Sequence, residues 1–161
     1  MAIGTGGAAA RIMPYLWFTD NAREALEYYT SVFPNSSIGE VQYYPEATSE
    51  EHLRDMQGKI LHAEFVLDGQ RFGAIDGGPA FTFTEAVSFV VWCADQAAID
   101  RYWSALSHVP ESEACGWCKD RFGLSWQILP ADLGSLMRIP AQQSALMRMK
   151  KIDIAELAGL G

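Results

Sequence analysis

The chain has 161 residues, 49% of them hydrophobic and 12% aromatic, which suffices for one ordinary domain burying roughly two-thirds of its unfolded surface. Twenty acidic against twelve basic residues leave a net charge of −8, which argues against nucleic acid or an anionic membrane surface as a partner, since both need a cationic footprint. No apolar run approaches the roughly 18 residues of a membrane span, and three cysteines, an odd number, make no disulfide framework, so a reducing cytoplasm is the expected compartment.

Residues 1–10, MAIGTGGAAA, lack the basic and apolar regions of a signal peptide and read as a flexible leader. PYLWF, 14 to 18, then reads as a strand, and Asn21 as the N-cap of an amphipathic helix that ends in the aromatic pair Tyr28-Tyr29. Residues 46–58 are acidic and are expected to form a mobile loop. Beyond them, two alternating runs meet at Asp68-Gly69, a strong hairpin signal that sets Val66 opposite Arg71, Glu64 opposite Gly73 and His62 opposite Ile75.

The same order then recurs. With Pro14 laid on Ser88 (88 − 14 = 74), Leu16 falls on Val90, Phe18 on Trp92, Asn21 on Asp95 and Tyr28 on Tyr102. With Gly69 laid on Gly123 (123 − 69 = 54), Phe122-Gly123 marks a second hairpin, followed by the alternation Leu124, Trp126, Ile128 up to Pro130. Each half reads as a βαβββ module, the first over about residues 11–83 and the second over about 84–130, together one domain over 11–130. Residues 131–161 are expected as a C-terminal helical extension, in which apolar Leu146, Met147, Met149, Ile152, Ile154 and Leu157 need cover from the sheet or from a second subunit.

CGWC at 115–118 admits a dithiol redox or metal reading. The text after Cys118 alternates like a strand, however, and an extended path puts the two Cα atoms roughly 10 Å apart, beyond the roughly 7 Å limit of a disulfide. The hairpin is the preferred reading.

Two βαβββ modules resemble the vicinal oxygen chelate superfamily, the glyoxalase and bleomycin-resistance fold, of class α+β with a curved mixed sheet. PYLWF (14–18), YYTSVFPNS (28–36), FVLDGQ (65–70), IDGGPAFTF (75–83), WCKDRFGLSWQILP (117–130) and MKKIDIAEL (149–157) are similar to its PhnB-like group, labelled 3-demethylubiquinone-9 3-methyltransferase-like. The resemblance covers roughly residues 11 to 158 and implies the fold; with the apolar C-terminal segment it points to a homodimer. It leaves the activity unassigned. Methyl transfer lacks support, because the strand-to-helix turns at residues 19–22 and 93–96 contain none of the glycine that lets a backbone approach a nucleoside cofactor. The superfamily's metal ligands transfer to Pro14, Gly73, Ser88 and Gln127, none of which is a carboxylate or imidazole, so neither metal nor other cofactor is expected. The alternatives are a metal-dependent glyoxalase or dioxygenase-type enzyme and a Cys-x-x-Cys thiol redox protein.

Parity counted from Pro14 and Ser88 sends Leu16, Phe18, Val90 and Trp92 to the concave face and places Tyr15, Trp17, Phe89, Val91 and Cys93 under the helices. The first hairpin adds His62, Glu64 and Arg71 to that face. A two-residue turn at Phe122-Gly123 adds Ser125, Gln127 and Cys118, with Cys115, Trp117, Lys119 and Trp126 behind. An apolar cup with a few converging polar groups is the usual constitution of a small-molecule site. Leu16, Phe18, Arg71, Ser88, Trp92, Ser125 and Gln127 are the expected ligand-binding residues. His62, beside Glu64, can act as a general base near neutral pH, and Cys118 as a nucleophile if its thiolate is stabilised. Equally, His62 and Glu64 fit a hydrogen-bonded structural pair and Cys118 an inert small hydrophobe. His52, in the acidic segment, and His108, near a helix end, are set aside.

Overall fold

The computed structural model describes residues 11–46 and 49–161, in two compact units divided between Thr82 and Phe83. The leader expected over residues 1–10 lies outside the described residues.

The first unit runs β1 (Tyr15–Phe18), α1 (Ala22–Val32), β2 (Ser37–Tyr43), β3 (Ile60–Leu67) and β4 (Gln70–Asp76), with sheet order β1-β4-β3-β2. Alternation in β3 buries Ala63, Phe65 and Leu67 on one face, where Ala22, Ala25, Leu26 and Tyr29 of α1 cover them. Phe65 and Phe72 face each other in register and stack with centroids 5.2 Å apart. Asp68 and Gly69 take φ of 44° and 82°, the two positive values a type I′ turn requires, and the Val66–Arg71 and Glu64–Gly73 pairs follow from that turn. Part of the acidic segment is ordered: Glu51–Met56 forms a 3₁₀ helix, closed by the Tyr44 N–H on the Lys59 carbonyl at 2.9 Å.

One local expectation fails here. Asn21 makes no side-chain cap on α1; the Ala22 N–H donates instead to Oδ1 of Asp76, 2.8 Å away at the end of β4, while the Ile60 N–H donates to Oδ2 at 2.8 Å. Asp76 is 1% exposed, so a single buried carboxylate joins the helix start, the β3 start and the β4 end.

The second unit runs β5 (Ser88–Cys93), α2 (Gln96–Leu106), β6 (Trp117–Lys119) and β7 (Ser125–Pro130), with sheet order β5-β7-β6, and then α3 (Pro140–Arg148) and α4 (Ile154–Ala158). Asp95 caps α2 as expected, accepting from the Ala98 N–H at 2.8 Å. Where the first unit has β2, the second has only residues 107–116, a stretch too short for a strand and two turns. It holds a 3₁₀ turn at Pro110–Ser112 and then a reversal at Cys115-Gly116. These two residues have φ of 52° and 85°, and Ala114 and Trp117 exchange N–H···O bonds of 3.1 and 2.7 Å across them. The pair is thus the centre of a tight turn. Its outward N–H groups, on Cys115 and Gly116, donate to the carbonyls of Met149 and Lys150 at 2.7 and 2.8 Å.

Those bonds tie the C-terminal segment to its own unit. Gln96 adds two more, from Nε2 to the Ile152 carbonyl at 3.0 Å and from the Ile154 N–H to Oε1 at 2.9 Å. Leu146, Ile152 and Leu157 are buried, whereas Met147 is 71% exposed.

Candidate functional site

The two open sheet faces differ from parity expectation in a traceable way. Thr19, Asp20 and Asn21 separate β1 from α1, but only Ala94 and Asp95 separate β5 from α2. The helix starts are therefore related by 96 − 22 = 74 and the strand ends by 93 − 18 = 75. A single offset of 74 shifts β1 by one residue, which exchanges its faces. Leu16 and Phe18, expected to line the cup, are buried on the α1 side at 5% and 2% exposure, and Tyr15, expected beneath the helix, is open at 47%.

The open face of the first unit is organised around Gly73, the register partner of Tyr15 and of Glu64. A Cβ at Gly73 would lie 2.3 Å from the Tyr15 ring, so only glycine lets that ring lie across β4. The ring thereby reaches His62 on β3: Tyr15 Oη and His62 Nδ1 are hydrogen-bonded at 2.8 Å, with the rings 19° from parallel. Partial burial, then the charges of Tyr44 and Glu64, raise the Tyr15 phenol above its usual 10.0, which keeps it neutral at pH 7. Glu64 does not pair with His62; its carboxylate accepts from Arg71 at 2.9 Å. Trp17 reaches the Gly78 carbonyl with its Nε1 at 2.9 Å and meets Phe81 edge to face.

In the second unit β5 keeps its expected parity, because Ser88 is the correct reference. Val90 and Trp92 are 40% and 61% exposed on the open face, and Cys93 lies beneath α2. The β6–β7 register is one residue off expectation: Cys118 pairs with Trp126 and Lys119 with Ser125. The reason is the turn. A type I′ turn at Phe122-Gly123 would force positive φ on Phe122, a poor state for a bulky residue. The chain instead makes a longer loop around Asp120, whose buried carboxylate accepts from the N–H groups of Phe122 and Leu124 at 2.8 and 3.1 Å and from Trp126 Nε1 at 2.8 Å.

That slip moves Cys118 to the α2 side, where it is 1% exposed and burial, followed by the Asp120 and Glu113 charges, pushes its thiol up to about 12. A nucleophilic thiolate is not available at that position. It also brings Lys119 and Trp117 to the open face beside Ser88, Ser125 and Gln127. Gln127 Nε2 donates to Ser88 Oγ at 2.9 Å, and Lys119 forms an ion pair with Glu85. Cys115, in its turn, contacts the Met147 sulfur at 3.8 Å, and all three cysteines are free thiols.

The donor set does not suit the divalent metal of the superfamily. Gly73 is blocked by the Tyr15 ring, Gln127 and Ser88 engage each other, Pro14 has no donor, and the corrected strand offset of 75 puts Met13, a thioether, opposite Ser88; among the described residues no three of His, Cys, Asp and Glu converge. Missed by sequence reasoning were Tyr15, Trp117 and Lys119 on the open faces and the two aspartate anchors. The unequal strand-to-helix loops and the poor fit of Phe122 to a tight turn were the available signals.

A strand–helix–hairpin module repeated within one chain, each helix covering one face of its own sheet, defines the glyoxalase fold class. Within that class the chain belongs to the family described as 3-demethylubiquinone-9 3-methyltransferase, which matches residues 10–129 and is also called PhnB-like. Among solved structures, the PhnB protein of Bacillus cereus, named for the same methyltransferase, is 34% identical, with a TM-score of 0.63 over 76% of this chain and 100% of that one. The protein PA1353 of Pseudomonas aeruginosa is 23% identical with a TM-score of 0.56, over 76% of this chain and 98% of that one, and shares the fold. No curated protein matches the chain. Among the described residues no helix is long and apolar enough to cross a membrane.

Proposed function

We propose that this PhnB-like chain binds a small, partly apolar organic molecule on the open face of β5, β7 and β6, without a resident metal ion. The observation that carries the reading is the pair Val90 and Trp92, 40% and 61% exposed on a face whose polar residues Ser88 and Gln127 are held by each other. Exposed apolar side chains next to oriented polar groups are what a small-molecule site presents. A thermal-shift screen with a metabolite library tests it: a ligand at 100 times its Kd stabilises by about 2.7 kcal/mol, roughly 5–10 °C in Tm for a chain of this size. The shift should vanish in Trp92→Ala. No shift with any compound, or one unaffected by Trp92→Ala, defeats the proposal.

A catalytic role for His62 is the second reading, favoured by its hydrogen bond to Tyr15 and its place next to Glu64 and Arg71. It requires a ligand of the first unit's own open face, whose turnover His62→Ala abolishes while leaving its affinity within a few fold. Methyl transfer finds no support in either strand-to-helix turn. Elemental analysis of protein purified without chelator, showing stoichiometric Zn, Mn, Ni or Fe, overturns the metal-free reading. We place the chain in the cytoplasm on its free thiols. Homodimerisation rests on the fold resemblance and on exposed Met147, since most of the apolar C-terminal positions are covered; sedimentation as a monomer at micromolar concentration defeats it.

A further inference from the structure

Ser125 is the odd residue of the second unit. It sits on the central strand β7, is 1% exposed, and its Oγ is the one buried side-chain polar atom among the described residues without a hydrogen-bond partner. Such a group stands out, because buried hydroxyls are almost always satisfied. Its register partners are Ser88 on β5 and Lys119 on β6, all three on the open face.

The neighbours are donors. Ser88 Oγ accepts from Gln127 Nε2, so its own proton is left to donate. Lys119 is held by Glu85, whose side chain is 58% exposed and which reaches the lysine from the segment before β5. The hydrogen bond from Lys119 keeps the Glu85 carboxyl below its usual range, so it is an anion at neutral pH. Two hydroxyls and an ammonium group, with an exposed carboxylate from the chain itself on the ammonium, form a site whose chemistry calls for an anion with several acceptor lone pairs. Two and four residues beyond Ser88, on the same face, stand Val90 and Trp92.

Resting on the binding reading above, we propose that the ligand is an organic carboxylate: its carboxylate is bound by Ser125, Ser88 and Lys119, its apolar body lies over Val90 and Trp92, and Glu85 occupies the carboxylate's place on Lys119 until the ligand displaces it. No bond is made or broken in this exchange; one carboxylate replaces another on the same ammonium group. Discrimination against neutral isosteres follows, because an amide offers no charge to displace Glu85.

The test uses the full chain with phenylacetate, octanoate and their amides as probes, followed by NMR titration of the Ser125 and Lys119 amides and the Trp92 indole. The acids are expected to shift all three signals with Kd at least tenfold below those of the amides. Glu85→Gln, an exposed substitution, should tighten the acids at least threefold and leave the amides unchanged, and Lys119→Met should erase the preference for acids. Equal binding of acids and amides at Trp92, or a Glu85→Gln variant that leaves the preference as it was, overturns this inference while sparing the general binding reading. If neither acids nor amides bind, the carboxylate inference falls, and the general binding reading is decided by the library screen.

Discussion

The two units start from the same strand, helix and hairpin and treat their open faces in opposite ways. In the first, the polar groups are mutually engaged, Tyr15 with His62 and Glu64 with Arg71, and a glycine at the centre lets an aromatic ring lie over the sheet. In the second, polar groups pair as well, Gln127 with Ser88 and Lys119 with Glu85, but the position equivalent to Gly73 (73 + 54 = 127) is Gln127, Trp92 is 61% exposed, and a buried hydroxyl is left without a partner. Each unit is also pinned by one buried aspartate, but at opposite ends: Asp76 ties strand ends to the helix start, whereas Asp120 organises the hairpin loop. The difference teaches that the repeated scaffold sets topology, while register and face chemistry are settled locally by where one carboxylate or one missing side chain falls.

The largest test of this comparison is removal of the anchors. Asp76→Ala removes the acceptor of two buried backbone N–H groups, and Asp120→Ala that of one buried and one part-buried backbone N–H and of the Trp126 indole; each should cost about 3 kcal/mol in urea unfolding, given charge-assisted bonds of roughly 1.5–3 kcal/mol. A cost under about 1 kcal/mol for either would show that the two units are not pinned alike. Next comes the centre of each face. Gly73→Ala drives a methyl into the Tyr15 ring and should cost about 2 kcal/mol and break the Tyr15–His62 bond, seen as changed chemical shifts of the two rings by NMR. Gln127→Ala, at the equivalent place, should cost less than about 1 kcal/mol, because its amide bond to a hydroxyl is part-buried.

A smaller effect separates the units by pH. All three cysteines lie in the second unit, and burial raises Cys118 from 9.0 to about 12 and Cys93 to about 11. A thiol with a raised folded value holds more protons folded than unfolded between those limits, so its contribution is intact below pH 9 and is lost as pH climbs toward 12. Cys118→Ala should therefore lose less stability between pH 8 and 10 than the parent, by on the order of 1 kcal/mol, in melts at matched ionic strength. Equal slopes would place the alkaline sensitivity elsewhere, with Tyr15 and Tyr44 of the first unit, also raised, the next groups to titrate. Smallest of all, Trp92→Ala should change stability by no more than about 0.5 kcal/mol, since an exposed ring is not core. A large loss would mean that Trp92 packs rather than binds.

Much of this was legible in the residues. Asp68-Gly69 announced a type I′ turn and so the pairing of Glu64 with Gly73, which put His62, Glu64 and Arg71 on one face. Ser88 and Trp92 were placed by the alternation of β5. Leu16, Phe18 and Cys118 were misplaced for one reason, a slip of one residue, once in the loop before α1 and once in the hairpin at Asp120. A period-two pattern carries no reference point of its own, so an error of one inverts every face.

By itself the sequence determined the α+β class, the internal repeat and the first hairpin, because these depend on periodicity and turn chemistry that local sterics enforce, and its motifs carried the resemblance to the family. Only the tertiary structure decided which residues face outward on β1 and β6, that Asp76 rather than Asn21 caps α1, that residues 107–116 make a turn in place of a fourth strand, and that Ser125 is sealed without a partner. Those outcomes depend on which distant N–H groups a buried carboxylate satisfies, and no pattern along the chain records that.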